Sequence, residues 1–282
     1  MPGRIRRTTA ASAFWSARAS LLPVPLLIVA ALLHRLQAID TVAMFASLGV
    51  ALLLAAAAVG LAVLALVEIW RDGSAGFGLA LRGLSFGAVA LGPPAVAVAA
   101  MLVFPPLTDI STDPVDPPLF AAAPDGIWNR PPPDAAEYAV QAAAYPHLVP
   151  RHYPVAPERV FAEAQALFAR RGWTVLDAQG PRETEGIGWI EGEARTLLLA
   201  LEVDVVLRVL ADGRGSLVDM RSAWRTGGHD LGDNARRIRG FLADLDAALQ
   251  GVVDAPAAAP ADAETPLVAP PDGPPPDAAP AR

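Results

Sequence analysis

From Val42 to Val67 the chain runs for about 26 residues without a charge or a side-chain amide. At a helical rise of 1.5 Å per residue that stretch is ~39 Å long, enough to cross a ~30 Å hydrocarbon core with some tilt. A helix apolar on every side needs lipid or a large protein core around it. The run therefore predicts a membrane protein, and the rest of the chain is read around it.

A second uncharged run extends from Gly83 to Thr108, again about 26 residues, and contains Pro93-Pro94. Membrane helices tolerate proline where neighbours re-satisfy the freed carbonyls, so a kink is expected there rather than a break. A shorter apolar run, Ala19 to Leu33, lies between Arg18 and Arg35. Extended towards Ile39, with snorkelling arginines, it makes a third crossing. Its alternative as a signal-peptide core lacks a small-x-small cleavage site before the next span. The expected organisation is a cytoplasmic N-terminus at 1–20 and a transmembrane region at 21–108, with spans at about 21–39, 42–67 and 83–106. An α+β domain at 109–250 and a disordered Pro/Ala-rich tail at 251–282 follow.

Arg4, Arg6, Arg7 and Arg18 precede the first span, and Arg71 and Arg82 separate the second from the third. Only Arg35 separates the first from the second, and Asp109, Asp113, Asp116 and Asp125 follow the third before Arg130. The positive-inside rule then sets the N-terminus in the cytoplasm and the C-terminal domain outside. In a double-membrane bacterium this is a multi-pass inner-membrane protein with a periplasmic domain. The expected partners are the lipid bilayer and an envelope protein.

Hydrophobic residues make up 53% of the chain and the net charge is −7, which excludes the basic footprint of nucleic-acid binding. Every basic residue besides His is Arg, and Cys is absent. P-loop and Schiff-base lysines, thiol nucleophiles, cysteine metal ligands and disulfides are thereby excluded. No cofactor is implied. Gly83-Leu84-Ser85-Phe86-Gly87 has the letters of a nucleophile elbow but no preceding strand. Gly186-Ile187-Gly188 resembles the start of a dinucleotide fingerprint, with Gly192 one place late and strand-like sequence around it. Small residues four apart, Ala56 with Gly60 and Gly83 with Gly87, suggest close helix packing.

Residues 105–134, rich in proline, read as an extended strap. A short helix is expected from Asp134 or Ala135 to about Ala144. A longer one is expected over Ala156–Arg171, with Val160, Phe161, Ala164, Leu167 and Phe168 on one stripe and Gly172 ending it. Trp173–Ala178 and Gly186–Glu193 read as strands, and Arg195–Leu201 as a further one. Val203–Leu210 and Ser216–Arg225 alternate about Asp212-Gly213, the pattern of a hairpin. One register pairs Asp204 with Arg221; the other pairs Arg208 with Asp219 and Glu202 with Arg225, and both put opposite charges across the ladder. A last helix over Leu231–Leu249 buries Ala235, Ile238, Phe241, Leu242, Leu245 and Leu249, with Asp230 as its cap. Asn234 points with that apolar stripe, so it needs partners from the strand end or from Thr226–His229. The expected fold class is three membrane helices plus an α+β domain, its antiparallel sheet carrying two main helices on one face.

Asp109-Ile110-Ser111-Thr112-Asp113-Pro114, followed by Asp116-Pro117-Pro118 and Phe120, resembles the opening motif of the domain of unknown function 1499 family. Asp219, Arg221, Ser222, Arg225, Gly227, Asp230, Gly232, Asn234, Arg237, Ile238 and Phe241 match its C-terminal pattern. The likeness covers about residues 105–250, and longer members of the family also carry membrane helices ahead of the domain. Trp224 stands where a small hydroxyl residue is usual, and Glu202-Val203-Asp204 where an acidic pair is common. The resemblance implies fold and location, with no reaction attached.

The candidate ligand-binding constellation is Asp219, Arg221, Arg225, Asp230, Asn234 and Arg237. Arginines near Gly227-Gly228 and a helix N-terminus suit a carboxylate or phosphate. The competing reading is an Arg–Asp network that pins the hairpin to the last helix. No catalytic residue is assigned; His229 beside Asp230 is a base–orienter pair without a nucleophile, and His147 with His152 lacks a third metal ligand. A binding or assembly module predicts arginines already paired on a shallow surface. The alternative, an enzyme acting on a periplasmic or lipid substrate, predicts a deep cleft with Arg221, Asn234 or His229 unpaired.

Overall fold

The structure, a computed structural model, describes residues 8–122, 131–182 and 186–250. The tail at 251–282, and Arg4, Arg6, Arg7, Asp125 and Arg130 of the charge count, lie outside the described residues.

Three helical stretches are long and apolar enough to cross a membrane: Ala11–Arg35, Thr41–Asp72 and Phe77–Val103. The first is in two pieces, α1 (Ala11–Ala19) and α2 (Pro23–Arg35), because Pro23 and Pro25 cannot donate the amides a continuous helix needs. α3 (Thr41–Asp72) starts where the Asp40 carboxylate accepts the Ala43 amide and ends at Gly73, which adopts φ 68°. α4 (Phe77–Val103) runs through Pro93-Pro94 as one helix.

What α3 buries along most of its length is alanine: Ala51, Ala55, Ala58, Ala62 and Ala65, spaced alternately four and three apart. That seam lets α1 and α4 approach closely. Ser16 of α1 donates to the Ala58 carbonyl at 2.8 Å, and a Cβ on Gly83 would collide with the same serine. A Cβ on Gly87 would lie 2.6 Å from Val59. Gly83 and Gly87 are therefore packing residues, whereas Gly60 faces open space and Ala56 is exposed. Arg18, exposed on α1, leans back over the Phe14 ring at 4.3 Å, the direction in which helical side chains snorkel.

The C-terminal domain is an antiparallel sheet. β3 (Thr174–Gln179), β4 (Ile187–Arg195), β5 (Glu202–Asp212) and β6 (Gly215–Trp224) follow one another; β1 (Asp109–Ser111) and β2 (Arg151–Tyr153) share the outer edge of β6. The hairpin takes the register Arg208↔Asp219, and a Gly213-Arg214 turn closes it through the Asp212 carboxylate, which accepts the Arg214 amide. Arg195–Leu201 is not a strand. Its arginine ends β4, and the following residues form a tight loop in which the Thr196 hydroxyl oxygen accepts the Leu201 amide.

α6 (Pro157–Arg170) and α7 (Asp233–Leu249) cover one face, packing Val160, Leu167, Phe168, Ile238, Phe241 and Leu245 on Val203, Val205, Leu207, Met220 and Ile190. α5 (Ala135–Ala144), opened by an Asp134–Glu137 capping box, extends the β1 edge. Its Gln141 accepts from the Ser111 amide and donates to the Ser111 carbonyl, standing in for another strand. The strap folds back over the opposite face of the sheet, where Phe120 packs on Val206 and Ala223.

Candidate functional site

Strand alternation separates the constellation. Asp219, Arg221 and Arg225 sit at odd positions, so from β6 they point to the strap side. Ser222 points the other way, towards α7. The six residues therefore form two clusters, one on each face of the sheet.

On the strap side each arginine is clasped by carboxylates. Arg221 is fully buried, its Nε and Nη2 donating to the two Asp109 oxygens at 3.0 and 2.8 Å. Its remaining donors reach the carbonyls of Pro118 at 3.2 Å and Pro131 at 3.5 Å, and the Phe120 ring lies 4.7 Å away. Arg208 holds Asp219 Oδ2 at 2.8 Å and Asp116 Oδ2 at 2.7 Å. Arg225 gathers Asp204 at 2.6 Å, Glu202 at 2.8 Å and Glu193 at 3.0 Å, and these acids raise its pKa against the opposing effect of burial. Glu191 Oε2 accepts the Ala121 and Ala122 amides at 2.6 and 2.9 Å. From Asp109 to Ala122 the strap is thus stitched down by charge-assisted bonds.

Burial raises the pKa of Glu191 and of Asp219, because acceptance of strap amides in one case and of Arg208 in the other does not offset lost hydration. Among the described residues Glu191 Oε1 and Asp219 Oδ1 have no hydrogen-bond partner. Burial also pushes the Tyr138 hydroxyl of α5 up to about 12.

On the helix side Asn234 is fully buried, accepting from Ser222 Oγ at 2.9 Å and donating to the Thr108 carbonyl at 2.8 Å. Arg237 donates to Asn234 Oδ1 at 2.9 Å and pairs with Asp233. α7 begins at Asp233 rather than Leu231. Asp230 nevertheless caps it from a turn ahead, accepting the amides of Gly232 at 2.8 Å and Asn234 at 3.0 Å. Its own amide donates to Leu107, and burial raises its carboxyl pKa. Gly232, at φ 73°, leaves room for the Phe104 ring, which any Cβ there would strike at 2.6 Å. His229 is engaged as well, with Nδ1 accepting the Leu231 amide and Nε2 3.2 Å from the Phe104 carbonyl. These bonds seize the connector that leaves α4.

Sequence reasoning left Arg208, Asp109, Asp116, Asp204, Glu191 and Glu193 out of the constellation. The period-two alternation of Asp109-Ile110-Ser111 and of Glu191-Gly192-Glu193 was the available signal, since it places their charges on one face. Ser85 is exposed in mid-helix, and Gly186 precedes a strand. His152 pairs with Asp212 at 2.9 Å while His147 is exposed, and no cluster of metal-ligating side chains occurs among the described residues. Asp113 spends its carboxylate on the amides of Val115 and Asp116, an ordinary turn.

Residues 109–245 match the family described as protein of unknown function (DUF1499). The C-terminal domain belongs to the DUF1499 family. No curated protein and no solved structure matches the chain. The residues that carried the DUF1499 resemblance have concrete work in this fold. Arg221 and Arg225 organise the face beneath the strap, and Asp230, Gly232 and Asn234 grip the connector. Glu202 and Asp204, which replace the usual acidic pair, both reach the Arg225 guanidinium.

Proposed function

We propose that this chain is an inner-membrane protein whose DUF1499 domain, on the periplasmic side, is a binding or assembly module held in a fixed pose on its membrane helices. The observation that carries this reading is that Arg221, Arg225, Asn234, Arg237 and His229 are all engaged within the chain. An enzyme using that face would need at least one of them free in a cleft. The bilayer and an envelope protein are the proposed partners.

Fixed presentation is supported at two points. Phe104 is held by His229 and Gly232, and the β4–β5 loop is held by the end of α2. A domain tethered at both places offers a partner a surface of constant orientation, which lowers the ordering cost of binding.

The test is in-cell photocrosslinking of the full-length protein from exposed positions on the domain, such as Arg214, Asp177 and Ala143. Capture of one defined envelope protein from adjacent positions supports the module. Absence of any specific capture, with turnover of a lipid or cell-wall substrate by the purified protein, overturns it.

A further inference from the structure

Between Arg195 and Glu202 the chain reads Thr-Leu-Leu-Leu-Ala-Leu, uncharged and short. Two of its leucines are bare: Leu197 is 90% exposed and Leu198 71%. Their position identifies what covers them. The Leu197 carbonyl accepts from Arg35 Nη1 at 2.8 Å, and the Leu199 carbonyl lies 2.7 Å from His34 Nδ1. Both contacts are at the C-terminal end of α2, where the first apolar stretch stops. At the same end Leu36 and Val42 are also exposed, and the leucines continue that apolar belt.

Two further features fit burial in lipid. Backbone bonds from Thr196 to the Leu201 carbonyl and from Ala200 to the Thr196 carbonyl close the loop on itself, and the Thr196 hydroxyl takes the Leu201 amide. Arg35 and His34 attend to two more carbonyls, while the amides of residues 197–199 make no bond within the loop, which suits a tip held at interfacial depth where water still reaches the backbone. Above the loop the surroundings turn polar. A cleft of about 340 Å³, lined among others by Gln37, Asp40, Arg195 and Glu202, sits between the helices and the sheet. An apolar tip below a charged collar is the arrangement of an interfacial anchor.

We infer that the Leu197–Leu198 tip inserts into the leaflet facing the DUF1499 domain, so that the domain is fastened to lipid as well as to its own helices. This rests on the membrane reading proposed above.

The chain lacks cysteine, so single thiols can be placed at will. Leu198→Cys carrying an environment-sensitive fluorophore is reconstituted as the full chain in phosphatidylcholine vesicles, alongside Leu53→Cys in mid-α3 and Arg214→Cys at the hairpin tip. The expected result is quenching at 198 by doxyl-labelled phosphatidylcholine, at least two-fold stronger than at 214, with protection from iodide. Position 53 should be quenched by doxyl lipid, and position 214 by iodide alone. Iodide quenching at 198 without doxyl quenching overturns the insertion while position 53 still reports a membrane helix. Protection of 198 from both quenchers also overturns it, since protein rather than lipid then covers the tip. Absence of doxyl quenching at 53 overturns the membrane reading itself.

Discussion

Arg221 cannot fall back on water if its partner is removed. It lies fully buried, and its two strongest bonds go to one carboxylate, Asp109. Breaking a buried pair from one side leaves an uncompensated charge, at a typical cost of about 3–5 kcal/mol. Asp109→Ala should lower stability by that order, whereas Asp109→Leu with Arg221→Met should recover much of the loss. Thermal unfolding of the detergent-solubilised protein, followed by tryptophan fluorescence, compares the variants. Equal destabilisation by the single and the double change would mean that the pair matters for packing alone. Glu191 makes the complementary case. Burial raises its pKa above the ordinary 4.5, so the folded state keeps a proton that the unfolded chain releases. Protonation therefore favours the fold. The contribution is complete below about pH 4.5 and is lost as pH rises through the folded pKa. Glu191→Gln stays neutral and keeps an oxygen for the strap amides. Its stability should fall less than that of the parent between pH 4.5 and neutrality, leaving the residual slope to Asp219 and Asp230. Unfolding midpoints measured across that range check the sign.

At the scale of elements, the tightest constraint is between α1 and α4. Ser16 occupies the space a side chain at Gly83 would need, so Gly83→Leu must push α1 out of the groove. Overpacking of this kind costs roughly 1–3 kcal/mol. Gly60→Ala, with nothing within 4 Å, should be silent. Disulfide yield between cysteines introduced at Ala13 and Ala80 would report whether α1 keeps its seat. The same elements show how far sequence reaches. The stripes of α6 and α7 and the alternation of β5 and β6 were legible because burial on one side imposes a local period. Arg195–Leu201 misled because a leucine run has no period, and nothing local announces that the Thr196 hydroxyl closes a loop or that Ala200 takes φ 55°. β2 lies in a proline-rich connector, and only its pairing with residues 216–218 of β6 makes it a strand. Asp219 for Arg208 and Glu202 for Arg225 were in view in one of the two hairpin registers, whereas the acid that meets Arg221 was hidden. Asp109 reaches Arg221 across 112 positions, once the strap has folded back. What could have been read is the division of the constellation: odd residues of β6 and the residues of α7 cannot share a face.

For the whole molecule, the helices fix which end carries the domain. α1 begins beside the α3–α4 turn, where the Ala10 amide donates to the Ala75 carbonyl. The domain docks at the other end, on His34, Arg35 and Phe104. Arg71, which flanks the α3–α4 turn, and the DUF1499 domain are thus at opposite poles of the bundle. One crossing, α4, separates them, so retention of the Arg71 pole in the cytoplasm would put the domain across the membrane. The expected outcome is that Arg214→Cys is labelled by an impermeant maleimide in cells whose outer membrane alone has been made leaky. Asp72→Cys, exposed at the opposite pole, should be labelled only after lysis. Because one thiol sits on the helix bundle and the other on the domain docked at its opposite pole, the reverse pattern would turn the whole molecule over, carrying the lipid-inserting loop to the cytoplasmic leaflet while leaving every intramolecular contact as it is. Labelling thereby tests orientation alone, separately from the fold that the buried arginines hold together.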